Sequence, residues 1–161
     1  MRTPAFAALV AAALLLGCGG DGGEEGDSPP AVPGGAEPED VQVIDEWSTA
    51  LREGDVEAAA DYFELPSIAQ NGTPAVQMET REDVVAFNEA LPCGAELVRA
   101  ETDGPYIVAT FELTERPGEG ECGDGVGAEA KTAFLIKDGK IARWLRAADD
   151  PVIEEPSGPV V

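Results

Sequence analysis

The chain has 161 residues, with 10 Lys+Arg against 32 Asp+Glu, a formal charge of -22 and 43% apolar residues. That apolar fraction suffices for one buried core and is too high for a wholly disordered acidic chain. The charge argues against nucleic acid, whose phosphates need Lys and Arg, and against electrostatic attachment to an anionic membrane surface, and the absence of His removes Ser–His, Cys–His and His–metal chemistry.

Residues 1–17 read as a targeting segment. Arg2 is the positive start, and an unbroken apolar run follows from Ala5 to Leu16. The run is shorter than the about 20 residues a spanning helix needs and suits a signal core. It closes in Leu15-Leu16-Gly17-Cys18, which resembles the lipobox of bacterial lipoproteins. The resemblance implies that the Cys18 thiol receives a diacylglyceryl group and that cleavage leaves Cys18 as the first residue. Palmitate-type acyl chains then anchor the chain, since two or three chains hold stably where one does not.

Residues 18–39 are Gly-, Pro- and acid-rich and are expected to form a disordered tether. Such a coil spans about 25 Å, enough to stand a domain off a bilayer. Removing residues 1–17 takes Arg2 away and no acidic group, so the mature chain is more acidic still. Residues 149–161 are again Pro-rich and acidic and are expected to be a disordered tail. The folded domain is expected over 40–148.

Three helical stripes open that domain. Val43, Ile44, Trp47, Ala50 and Leu51 follow the helical period, with Asp40 as the expected cap and Gly54 as the expected stop. Asp55 caps a second helix carrying Val56, Ala59, Ala60, Tyr62 and Phe63, which Pro66 is expected to stop. Thr80 and Asp83 form a capping-box pattern before Val84, Phe87 and Leu91, and Pro92 ends this third helix. A short strand or two is expected between Ser67 and Met78.

After Pro92 the period becomes two. Glu96–Glu101, residues 107–114, residues 130–137 and Lys140–Arg146 read as four antiparallel strands in a meander. Asp103-Gly104 and Asp138-Gly139 mark the hairpin turns. The fold class is therefore α+β, with three N-terminal helices packed in a strongly curved antiparallel sheet. A bulge in the last strand would exchange its faces, so periodicity does not assign Trp144 and Arg146 to the inner or the outer side.

This order resembles the nuclear-transport-factor-like fold, which includes the SnoaL-like and ketosteroid-isomerase groups. The residues that carry the resemblance are the Trp-bearing first helix, Gly54-Asp55-Val56-Glu57-Ala58, Tyr62-Phe63 and the closing Lys137-Asp138-Gly139-Lys140-Ile141-Ala142-Arg143-Trp144. The resemblance implies a cone-shaped sheet that can enclose a pocket, and a homodimer through the outer sheet face. It also implies, for the isomerase members, a carboxylate base after the second helix and a Tyr and Asp donor pair. Here Gln70 or Asn71 stands nearest the base position and Trp47 where a Tyr donor would be wanted. An amide cannot take a proton at neutral pH, and an indole only donates. Asp45, Glu46, Asp61 and Glu64 are the remaining carboxylates near the helices, and each reads as a solvated helix face or end.

With Cys18 assigned to lipid, Cys93 and Cys122 are left as an even pair in an exported chain and read as a disulfide. Closing a loop of about 30 residues contributes about 3.5 kcal/mol on a chain-entropy argument. The pair makes a poor zinc site without His or further thiols. The Gly-rich stretch Gly118–Gly125 carries too many acids for a phosphate cradle and lacks the ligand spacing of a Ca²⁺ loop. No catalytic residue, metal or cofactor is assigned. The candidate pocket residues are Trp47, Tyr62, Phe63, Phe87, Phe111, Phe134 and Trp144.

The reading is a non-catalytic, lipid-anchored binding or interaction domain on the extracytoplasmic side of the cell membrane. Its partner is a small apolar ligand in the cone or another envelope protein on the sheet, and no nucleic acid. The alternative is a SnoaL-like isomerase, cyclase or epoxide hydrolase that uses a buried carboxylate.

Overall fold

The computed structural model describes residues 36–147, apart from Thr73 and Glu119. The leader, all but the end of the tether, and the tail read from the sequence lie outside the described residues. Helix α1 spans Pro38–Glu53, α2 Val56–Ala60, strand β1 Phe63–Gln70, β2 Val76–Met78, α3 Arg81–Glu89, β3 Gly94–Asp103, β4 Tyr106–Thr114, β5 Glu129–Lys137 and β6 Lys140–Ala147.

α1 starts three residues earlier than expected, with Glu37 at the N-cap position and Pro38 opening the first turn. Proline is pre-set for that position and has no N–H to leave orphaned. Asp40 therefore sits in the first turn rather than capping it, where its charge meets the positive end of the helix dipole. Gly54 ends the helix in the left-handed region, φ 82°, and its N–H reaches Ala50 and Leu51 carbonyls. A Cβ there would lie 2.9 Å from the Pro117 carbonyl oxygen, so glycine is required twice over.

The second helix is shorter than its stripe suggested. Asp55 caps it, accepting from the Ala58 N–H at 2.9 Å, but it ends at Ala60 and Phe63 already opens β1. Pro66 lies inside β1 and stops no helix. The pairing of β1 with β6 skips from Phe63↔Ile141 to Ile68↔Arg143, so Pro66 falls in an irregular stretch where its missing N–H costs no β1–β6 ladder bond. α3 has the expected capping box, with the Asp83 carboxylate accepting from the Thr80 N–H at 3.0 Å and Thr80 Oγ1 accepting from the Asp83 N–H at 3.2 Å. β1 and β2 come between α2 and α3, so the helices are not one N-terminal block.

The sheet is curved and six-stranded, in the order β2-β1-β6-β5-β4-β3. It is mixed, not wholly antiparallel as expected: β1 runs parallel to β6, and the other neighbours are antiparallel. The two hairpin turns are tight. Gly104, φ 56°, and Pro105 join the paired Asp103 and Tyr106, one residue later than the expected turn. Asp138 and Gly139, φ 49° and 70°, join Lys137 and Lys140, as a primed turn requires.

The last strand carries the bulge that decides its faces. Phe134 pairs with Trp144 and Leu135 with Arg143, but Ile136 pairs with Ile141, so Ala142 is the extra residue. Ile141, Trp144 and Arg146 consequently share the inner side, while Arg143 and Leu145 share the outer one. The core lies between α1 and that inner side. Ile44, Trp47 and Leu51 from α1 meet Phe111, Phe134 and Ile141 from the strands, each 2% exposed or less.

Candidate functional site

Trp47 is the centre of the core. Its ring meets Phe134 at 5.5 Å, Phe111 at 6.2 Å, and Phe63 and Trp144 at 6.4 Å, all edge-on. Its Nε1 donates to Asn88 Oδ1 at 3.0 Å. Asn88 is itself fully buried and donates from Nδ2 to the Val84 carbonyl at 2.9 Å. A buried amide with both ends in use holds the indole in one orientation.

The end of α3 is held in the same way. Arg116 is 9% exposed, and its guanidinium donates to the carbonyls of Leu91 at 2.9 Å, Glu89 at 3.0 Å and Asn88 at 3.1 Å. Those carbonyls lie at and just beyond the C-terminus of α3, where a cation is the fitting partner. Burial lowers the Arg116 pKa, against the opposing charge of Glu89, yet an arginine stays charged. The 93–122 disulfide is formed and pins the β4–β5 connection to the start of β3. That connection contains a short 3-10 turn at Gly123–Gly125.

Within this frame lies a cavity of about 110 Å³. α1 contributes Trp47 and Leu51, one turn apart on the buried face. The residues after α3, Leu91, Pro92 and Cys93, form one rim. Phe111 and Leu113 of β4 and Trp144 of β6 supply apolar wall. Ala95 and Ala130 are small residues in that wall, and they leave the room that larger side chains would fill. The polar lining is Asn71, Thr132 and Arg146. Arg146 Nη1 donates to Asn71 Oδ1 at 3.4 Å, at an exposed edge of the cavity.

Of the aromatic residues singled out from the sequence, Trp47, Phe111 and Trp144 line the cavity. Phe134 and Phe63 are packed behind Trp47 instead. Phe87 meets Trp144 edge-on at 5.1 Å and borders a second groove of about 340 Å³ between α3 and the β1–β2 edge. Tyr62 lies outside the cavity. Burial raises its pKa, and Glu46 adds to this through its charge and a hydrogen bond, with Asp61 adding charge.

The carboxylates near the helices also lie away from the cavity. Asp61 accepts from Arg81 Nε at 3.0 Å, and Arg81 also binds Glu57, so the cluster ties α3 to α2 on the surface. Asp45 and Glu46 are exposed on α1, and Glu64 is half-buried on β1. Gln70 is exposed on the outer side, paired with Leu145, while Asn71 reaches the cavity. Among the described residues no group of three or more Cys, Asp or Glu is placed to hold a metal ion.

Asn88 was legible in principle, as a polar residue one helical turn beyond Val84 in an apolar stripe. Arg116 and Arg146 carry no local signal. Their roles depend on which carbonyls and which cavity the chain brings to them.

No protein-family model matches the chain, and no curated protein sequence matches it. The likeness is to solved structures. A de novo designed protein with a curved β-sheet superposes with a TM-score of 0.53 at 20% identity, over 71% of this chain and 88% of the other. An NTF2-like protein of unknown function from Cytophaga hutchinsonii superposes with a TM-score of 0.52 at 13% identity, over 68% and 89%. The fold is NTF2-like. A candidate polyketide cyclase from Sinorhizobium meliloti shares this NTF2-like fold, with a TM-score of 0.50 at 18% identity over 65% and 93%. At these identities the likeness is one of architecture.

Proposed function

We propose that the chain is a lipid-anchored binding domain of the cell envelope. It is tethered at Cys18 on the extracytoplasmic side of the membrane and takes a small, largely apolar molecule into the cavity under Trp47. The observation that supports binding over catalysis is the chemistry of the lining. Its ionisable side chain is Arg146, and Cys93 is held in a disulfide. Neither can take a proton from a substrate near neutral pH. The Leu15-Leu16-Gly17-Cys18 run supports the anchor.

The reading is tested by native mass spectrometry of the purified full-length chain and of its Ala95→Leu variant. A small molecule retained by the wild type and absent from the filled variant supports it. A carboxylate that titrates near neutral pH and whose substitution abolishes turnover of a co-purified molecule moves the reading to a SnoaL-like enzyme.

A second copy of the chain is proposed as partner on the outer sheet face. Val108, Ala133 and Leu145 stand in cross-strand register there, beside Leu135 and Ile68 flanking Arg143. Sedimentation of Leu145→Glu against wild type reads this directly: a dimer that the charge dissolves supports the face, and a monomer in both removes it.

A further inference from the structure

We infer that the cavity selects a small carboxylic acid, with its ring or chain against Trp47 and Trp144 and its carboxylate at Arg146. The inference rests on the reading of the cavity as a ligand site and adds the chemical class of the ligand.

The first observation is the state of Arg146. In this chain 32 acidic groups face 10 basic ones, so a carboxylate is the easiest partner for any arginine to find. Arg52, Arg81 and Arg99 each meet one. Arg116, Arg143 and Arg146 meet none among the described residues; Arg116 gives its donors to backbone carbonyls, Arg143 bonds the Tyr106 hydroxyl at 3.1 Å, and of the three it is Arg146 that lines the cavity. Its one hydrogen bond is to the neutral Oδ1 of Asn71 at 3.4 Å, long for such a bond. A guanidinium has five N–H donors in a planar fork that matches a carboxylate, so most of its donors have no protein partner among the described residues.

The second observation is its position. Alternation puts Trp144 and Arg146 on the same side of β6, and the bulge at Ala142 turns that side inward, so the cation stands two residues beyond the indole on the cavity wall. Thr132 faces Arg146 in register across β5, and the Asn71 amide stands beside it. The rest of the lining is apolar. A ligand with one apolar end and one anionic end matches that division.

Size and charge narrow the class. A dry apolar cavity on the order of 150 Å³ holds a benzene-sized molecule, so about 110 Å³ with an open edge suits at most about six carbons and leaves the acid group at the rim. The net charge of -22 opposes any anion at long range. Salt screens exposed charges beyond about 8 Å at physiological ionic strength, whereas a guanidinium in contact with a carboxylate acts well inside that distance.

The test uses two probe pairs on the full-length chain at physiological salt: benzoate against benzamide, and hexanoate against hexanamide. Affinities are read by calorimetry, and the Trp47 indole N–H is followed by NMR. In the wild type at least one acid binds more tightly than its amide by about tenfold, the lower end for a hydrogen-bonded charge at an exposed edge. Arg146→Gln abolishes that preference, while the amide keeps its affinity because the apolar wall is untouched. Ala95→Leu abolishes both. Equal binding of acid and amide by the wild type overturns the inference and leaves the cavity reading standing, as does a preference that survives Arg146→Gln. Failure of every probe to shift the Trp47 signal overturns both. Because Arg146 is exposed, Arg146→Gln keeps the test informative if Ala95→Leu does not fold.

Discussion

The indole N–H of Trp47 on α1 donates to Oδ1 of Asn88 on α3, 3.0 Å away and closed from solvent. This one bond ties the helix at the centre of the cone to the helix at its rim. Removing the acceptor strands a buried donor, which costs about 1–3 kcal/mol. Asn88→Ala is expected to lose at least that much and to shift the Trp47 emission. Trp47→Phe in the Asn88→Ala background is expected to recover part of the polar loss. A urea-unfolding double-mutant cycle measures the coupling, and a coupling near zero would show that the bond adds nothing to stability.

The disulfide makes a second prediction. Cys93 and Cys122 close a loop with a sequence separation of 29, for which chain entropy gives about 3.5 kcal/mol. A Cys93→Ser, Cys122→Ser variant is expected to unfold at correspondingly lower urea while keeping its far-ultraviolet circular dichroism. Intact mass without reductant should fall short of the reduced mass by a pair of hydrogens, and two thiols alkylated without reductant would contradict the bond.

Acid should weaken the α3 cap. The Thr80 hydroxyl, the Thr80 N–H and the Glu79 N–H all donate to Asp83 and hold its carboxyl below the ordinary aspartate range. A carboxylate with a depressed folded pKa stabilises the fold above its unfolded pKa and loses that contribution as pH falls through the folded value. The protection of the first α3 amides is therefore expected to decline as pH falls below the ordinary aspartate range. Asp83→Asn should flatten that decline. Hydrogen exchange along α3 measures both, and an identical acid profile in the variant would assign the loss to other groups.

The anchor is tested by cell fractionation. Wild type is expected in the membrane fraction and Cys18→Ser in the soluble extracytoplasmic fraction or retained as an uncleaved precursor. A Cys18→Ser chain that is cleaved normally and still sediments with membranes would rule out lipid at this position.

The features that could be read from the sequence were those carried by neighbouring residues. Thr80 with Asp83, Asp55 with Ala58 and Asp138-Gly139 each act within a few positions, and each is in place. A second local signal can override the first. Pro38 sets the start of α1 ahead of Asp40, and Pro66 resembles a helix stop because its place in the β1–β6 pairing is invisible locally. The aromatic residues look alike in the sequence, yet Phe134 and Phe63 support Trp47 from behind while Phe111 and Trp144 line the cavity beside it.

By itself the sequence determined the caps of α2 and α3, the hairpins, the α+β class and, as the even pair left beside Cys18, the Cys93–Cys122 disulfide. The caps and hairpins follow from hydrogen bonds and backbone preferences within one turn of the chain. Only the tertiary structure decided that β1 lies parallel to β6, that Ala142 is the bulged residue, and that the face Trp144 shares with Arg146 is consequently the inner one. Side chains on a strand alternate with period two, so one extra residue reverses every assignment beyond it. Whether that residue is accommodated depends on the packing of the neighbouring strand, which no local pattern records.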